Sequence, residues 1–91
     1  MEKIIYDEII SIIDKIDEYS KEGYSIKYDF NDNVFRISYN NSLDYVAKLY
    51  NDNNSLLWFL EPYNNSHFTT AYDNGFEMVL FAIKENETIF K

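Results

Sequence analysis

The sequence predicts an α+β domain: an N-terminal helix, an antiparallel meander of four or five strands, and a C-terminal helix. Three observations predict this class. Apolar residues recur every three or four positions over residues 2–21, alternate with polar residues from residue 24 onward, and return to helical spacing after Gly75. Because 91 residues suffice for one core but not for two, we expect a single domain over residues 1–91.

The first predicted helix covers residues 2–21. The apolar positions that recur at steps of four and three are Ile5, Ile9, Ile12, Ile16 and Tyr19. Such spacing places the side chains on one face of an amphipathic helix. Gly23 stands where a residue past the C-cap is expected, so we predict that the helix ends there.

The middle of the chain has the alternation of half-buried strands. We predict strands over 24–30, 35–39, 43–50 and 56–61, with turns at 31–33 and 40–42, a polar loop at 51–55 and a short fifth strand within 67–72. Pro62 and the polar run after it end the fourth strand. The residues predicted to face inward on the first three strands are Tyr24, Ile26, Tyr28, Phe30, Phe35, Ile37, Tyr39, Leu43, Tyr45, Ala47 and Leu49.

Residues 74–88 admit two interpretations. Asn74-Gly75 is a strong hairpin signal between apolar flanks. The helical alternative is indicated by Phe76, Val79, Leu80 and Ile83, which follow i, i+3, i+4, i+7 spacing, with Asp73 or Asn74 as N-cap. As a strand the segment would have almost no polar face, and K-E-N-E suits a helix surface. We therefore predict the helix.

Composition excludes several classes of function. The chain has no cysteine, which rules out disulfides and thiolate chemistry, and no apolar run of membrane-spanning length. Its net charge of −8 disfavours direct binding to nucleic acid or to an anionic membrane and favours a basic partner. With no signal-peptide pattern at its start, we expect a protein of the bacterial cytoplasm.

No motif indicates catalysis or a cofactor. His67 is the sole histidine and lacks a recognisable base or orienting partner in the sequence. Asp29, Asn31 and Asn33 copy the first half of a calcium loop, but Val34 and Asn40 replace its required glycine and glutamate. We therefore expect neither an enzyme nor a metal site.

Two groups of residues are candidates for binding a protein partner. If both helices cover one face of the sheet, the opposite face exposes an apolar patch that includes Tyr50, Leu57 and Phe59; if the helices cover both faces, these residues are core. The acidic candidates, whose carboxylates can imitate a row of phosphates, are Asp7, Asp14, Asp17, Glu18, Glu22, Asp29, Asp32 and Asp52.

The order of elements and the composition resemble those of small acidic anti-CRISPR proteins of phages and mobile elements. The matching pieces are residues 9–27, the hairpin around 31–33, and residues 76–84. The resemblance implies an inhibitor that occupies the basic nucleic-acid site of an effector such as a Cas protein, with no shared motif that carries a residue over. The chain is also similar to immunity proteins and antitoxins that bind a basic toxin, and a structural homodimer stays open as a third interpretation.

Overall fold

The computed structural model describes residues 1–62, 70–73 and 75–89 of the chain. The elements along these residues are α1 (Lys3–Ile13), α2 (Ile16–Lys21), β1 (Tyr24–Asp29), β2 (Val34–Tyr39), β3 (Tyr45–Asp52), β4 (Ser55–Pro62), β5 (Thr70–Tyr72) and α3 (Phe76–Ile89). The predicted α+β order of helix, meander and helix is confirmed. The predicted turn after Pro62, the start of the fifth predicted strand, His67 and Asn74 lie outside the described residues.

The five strands form one sheet in which chain order and spatial order coincide. Every neighbouring pair is antiparallel, with Ile26 opposite Ile37 and Leu49 opposite Trp58. Since side chains alternate between faces, this register sets all the predicted inward positions of the paired strands on one face.

All three helices pack on that same face. The buried cluster combines helix residues with residues from one side of the sheet only, namely Ile9, Ile12, Tyr19, Tyr24, Ile26, Phe35, Ile37, Tyr45, Ala47, Leu49, Trp58, Leu60, Phe76, Val79, Leu80 and Ile83. At its centre the Phe76 ring lies 5.1 Å from Trp58 and 5.5 Å from Phe35. The alternative in which the helices cover both faces therefore does not hold.

The segment after Gly75 is a helix, as predicted. Among the residues of this helix whose burial is described, Phe76, Val79, Leu80 and Ile83 are buried, and Val79 and Ile83 are fully enclosed. The residue before the helix is Gly75, whose carbonyl accepts a hydrogen bond from the N–H of Met78. The N-cap expected at Asp73 or Asn74 is therefore misplaced by one or two positions.

The predicted first helix is two helices. α1 ends at Ile13, and Lys15, with φ −104° and ψ 4°, donates its N–H to the Ile12 carbonyl in a tighter turn before α2 begins. α1 packs mainly on β3 and α2 on β1. The bend thus occurs where the helical segment passes from packing on β3 to packing on β1. The sequence does not predict it, because the apolar spacing continues without a break through Ile16.

Three predictions about the strands are wrong in detail. Phe30 is 78% exposed at the first turn and Leu43 is 45% exposed before β3, so neither faces inward. The predicted loop at 51–55 is a two-residue turn, because Asn53 and Asn54 both adopt positive φ and the flanking residues pair in the ladder. Turns of this kind match the twist of a hairpin and accept asparagine in the left-handed region.

Gly23 ends α2 with φ +100°, as predicted. Its N–H donates to the Ser20 carbonyl, and its own carbonyl accepts from the N–H of Asn40. A Cβ at this position would lie 2.7 Å from Oδ1 of Asn40, so both the backbone conformation and the available space require glycine here.

Candidate functional site

The sheet face opposite the helices is left uncovered by the described residues. We call it the open face. Val46, Leu57 and Phe59 are half-buried on it and Tyr50 is 43% exposed. A concavity of about 520 Å³ lies across it, lined by Asp32, Val34, Arg36, Val46, Lys48, Tyr50, Phe59 and Glu61.

The aromatic side chains of the open face are ordered by contacts with one another. The Tyr50 and Phe59 rings meet edge to face with centroids 4.9 Å apart, and the Lys48 ammonium lies 5.4 Å from the Tyr50 ring centroid. Such contacts hold the rings in a fixed orientation while leaving their outer surface accessible. The patch predicted from Tyr50, Leu57 and Phe59 is therefore present.

Asp29 and Asp32 are engaged within the chain. Oδ1 of Asp29 accepts the N–H groups of Asn31 at 2.9 Å and Asp32 at 3.2 Å, and Oδ2 accepts from Nε and Nη2 of Arg36 at 3.2 and 3.1 Å. The Asp32 N–H, followed by the Arg36 side chain, lowers the pKa of the Asp29 carboxyl. Arg36 also lies 3.6 Å from Asp32. These acids hold the first turn, which accounts for the partial likeness to a calcium loop.

Charges of both signs are nearly balanced on the open face. By strand alternation it carries three basic residues and three acidic residues, which are Lys27, Arg36, Lys48, Asp29, Asp52 and Glu61, and Asp32 of the first turn adds a fourth acid. This is unusual in a chain with a net charge of −8. The excess negative charge must therefore lie elsewhere.

That excess lies on the other side of the molecule. Residues 2–22 and 76–89, which we call the helix layer, contain ten acidic and four basic residues. Asp7, Asp14, Asp17, Glu18 and Glu22 all belong to it and are exposed. Asp7 is paired with Lys3 at 2.7 Å, whereas no described residue forms an ion pair with the other four.

The Tyr19 hydroxyl in the helix layer lies near acidic side chains of both α2 and α3. The Tyr19 hydroxyl donates to Oε1 of Glu77 at 2.8 Å, which joins α2 to α3. Burial raises the pKa of Tyr19 most, and the charges of Glu77, Glu18 and Glu22 raise it further. Glu77 thus extends the acidic surface, a role that sequence reasoning missed because it depends on how α3 docks against α2.

Two acids of the helix layer stand at helix C-caps. Asp14 is the C-cap of α1 and Glu22 is the C-cap of α2. The C-terminal end of a helix carries partial negative charge, which favours cations and disfavours carboxylates. Glu22 therefore costs the fold some stability, whereas at Asp14 the effect is offset by the positive N-terminal end of α2, which begins two residues later.

The predicted binding residues separate into two surfaces. Tyr50, Leu57, Phe59 and Asp52 lie on the open face, with Asp29 and Asp32 at its edge, and the remaining acids lie on the helix layer. The sheet stands between the two sets. A single partner surface cannot contact both sets at once unless it wraps around the domain.

Comparison of the chain with protein-family models, curated protein sequences and solved structures gives no match. No described helix has the length and apolar character needed to cross a membrane. Within the described residues, no group of three or more histidine or acidic side chains is arranged to hold a metal ion.

Proposed function

We propose that this chain is a stoichiometric protein inhibitor that binds a basic nucleic-acid-binding effector through its helix layer and blocks the nucleic-acid site. The observation that carries the proposal is the separation of charge, with ten acids against four bases on the helix layer and nearly balanced charge on the open face.

Such a layer suits a groove that binds phosphates. Asp14, Asp17, Glu18 and Glu22 present exposed carboxylates over a bent helical segment, and Glu77 adds another from α3. Lysine and arginine side chains that neutralise phosphates attract carboxylates by the same electrostatics, and association of this kind is fast and weakens with salt.

The cost to stability of Glu22 supports the proposal. An acid at the negative end of a helix is worth about 0.3–1 kcal/mol less than a base there. Residues that lower stability in a folded domain are expected where function requires them. Binding of a basic partner supplies such a requirement.

The resemblance to anti-CRISPR proteins gives the class of effector: a Cas protein or another component of a bacterial defence system, met in the bacterial cytoplasm. In this role the chain acts by occupying a site and performs no catalysis. An immunity protein or antitoxin that neutralises a basic toxin would use the same charge but would depend more on aromatic anchors and less on salt.

The test compares two double reversals with the same change in charge. Asp14→Lys with Glu22→Lys alters the helix layer, and Asp44→Lys with Asp52→Lys alters exposed acids outside it. We expect the first variant to weaken affinity for a guide-loaded Cas nuclease, and inhibition of its DNA cleavage, by about tenfold or more at low salt, corresponding to about 1.4 kcal/mol. The second variant should bind nearly as the wild-type chain does.

Affinity measured at two salt concentrations completes the experiment. We expect the affinity of the wild-type chain to fall steeply as the salt concentration rises. The difference in affinity between the two variants should shrink over the same range. Equal affinity of wild-type chain and helix-layer variant at low salt would exclude the helix layer as the binding surface. Failure to inhibit any of a panel of Cas nucleases would exclude that class of effector.

A further inference from the structure

The open face is an unpartnered surface of mixed composition, with apolar and aromatic side chains among charges of both signs. We infer that it is a dimerisation surface, on which a second copy of this chain packs sheet against sheet. This inference does not rest on the proposed function, which concerns the helix layer.

Charge selects the second copy as occupant. With three basic residues and, counting Asp32, four acidic residues, the open face is close to neutral and has no strong attraction for a highly charged protein. Two copies with net charge −8 would repel one another through their helix layers. On the open face two copies meet with the least repulsion, because the acidic helix layers then lie farthest apart.

The apolar residues are placed for such packing. Tyr50, Leu57 and Phe59 lie on β3 and β4, the middle of the sheet, where Tyr50 pairs with Leu57 across the strands. Lys27 lies toward one side, on β1, and Glu61 toward the other, on β4, while Lys48 lies among the aromatic rings, opposite Phe59. Aromatic residues are enriched in protein interfaces.

The available area is about the minimum for a biological dimer. The five strands have 6, 6, 8, 8 and 3 residues. At about 4.8 Å between strands and about 3.4 Å per residue, the planar footprint is about 500 Å². Two such faces bury about 1,000 Å² in total, which is about the smallest area expected of a biological interface.

The arrangement follows from symmetry. Two copies that face each other are related by a two-fold axis lying in the plane between the sheets, so each contact occurs twice. The sheets would stack about 10 Å apart with side chains interdigitating, as in a β-sandwich. Both helix layers then point outward, on opposite sides of the dimer.

Sedimentation equilibrium of the purified chain over a concentration series tests this. We expect the wild-type chain to reach the dimer mass and Tyr50→Glu to weaken self-association by about tenfold or more, or about 1.4 kcal/mol. The matched control is Tyr6→Glu, since Tyr6 is 53% exposed on α1 and should leave the dimer unchanged. A wild-type chain that stays monomeric throughout overturns the proposal.

A second pair of variants tests the charge argument without touching the aromatic residues. Lys27→Glu makes the open face strongly acidic on both copies and should shift the equilibrium toward monomer, most strongly at low salt. Lys21→Glu makes the same change in net charge on α2 and should not. Equal effects of the two variants would overturn the proposal. So would a monomeric wild-type chain whose binding to a Cas nuclease depends on Tyr50, since the open face would then serve a different partner.

Discussion

Three tyrosine hydroxyls join the rest of the fold to α3. Tyr19 donates to Glu77 at 2.8 Å, Tyr24 to the Leu80 carbonyl at 3.1 Å, and Tyr45 to Oε1 of Glu87 at 2.7 Å. Sequence alternation predicts that Tyr24 and Tyr45 face inward, which is confirmed. It cannot predict their polar partners, because those residues lie 42 or more positions away along the chain.

The Tyr45 hydroxyl gives the fold a dependence on alkaline pH. Burial, followed by the hydrogen bond to Glu87, raises the pKa of Tyr45 to about 12 from 10.0. The neutral form is favoured in the folded state, so this contribution is complete below pH 10 and is lost as the pH rises to about 12. Two pKa units correspond to about 3 kcal/mol.

We therefore expect the free energy of unfolding of the wild-type chain to fall faster between pH 10 and pH 12 than that of Tyr45→Phe. Urea denaturation at a series of pH values measures the difference. Tyr6→Phe, at an exposed position on α1, is the control and should follow the wild-type chain. Parallel curves for all three proteins would contradict the assignment.

The element whose identity the sequence leaves most open is α3. Phe76, Val79, Leu80 and Ile83 follow the helical spacing of the sequence, and all of them are buried on the predicted face. A helix is favoured over a strand here because one face of the sheet needs a covering layer, and the local sequence pattern does not show that need. The sequence also fails to predict the bend between α1 and α2, because the bend accompanies a change in the strand on which the helices pack.

Two substitutions in α3 separate helix from hairpin. Ile83 is fully buried and Phe81 is 55% exposed, so Ile83→Ala should lower the free energy of unfolding by about 2–5 kcal/mol and Phe81→Ala by less than about 0.5 kcal/mol. In a hairpin these two residues would share one face. Chemical denaturation that gave equal losses would favour the strand.

At the scale of the whole molecule, charge and stability are opposed. Asp14 and Glu22 add to the negative potential of the helix layer while standing at helix C-caps. The net charge can be counted from the sequence, but the unequal distribution of acids between the helix layer and the open face cannot. That distribution depends on all three helices packing on the same side of the sheet. The predicted acidic row from Asp29, Asp32 and Asp52 failed to join the helix acids for this reason.

This opposition predicts that the helix-layer variant Asp14→Lys with Glu22→Lys is more stable than the wild-type chain. We expect a gain in the free energy of unfolding of about 0.3–1 kcal/mol at low salt, mainly from position 22, which shrinks as salt screens the charges. Thermal and urea denaturation at two salt concentrations measure it. Asp44→Lys with Asp52→Lys changes the net charge equally, so a gain as large in this control would remove the helix ends as the cause.

The coincidence of chain order and spatial order in the sheet has a kinetic consequence. Each strand pairs with its neighbour in sequence, so the meander closes only short loops and is expected to assemble quickly. Phe76, whose ring packs against those of Phe35 and Trp58, is made after all the strands, as are Val79 and Ile83 of the same buried cluster. During synthesis we therefore expect the rings of Phe35 and Trp58 to stay partly exposed to solvent until α3 is made. Packing of α3 against the sheet is then the step that completes the core.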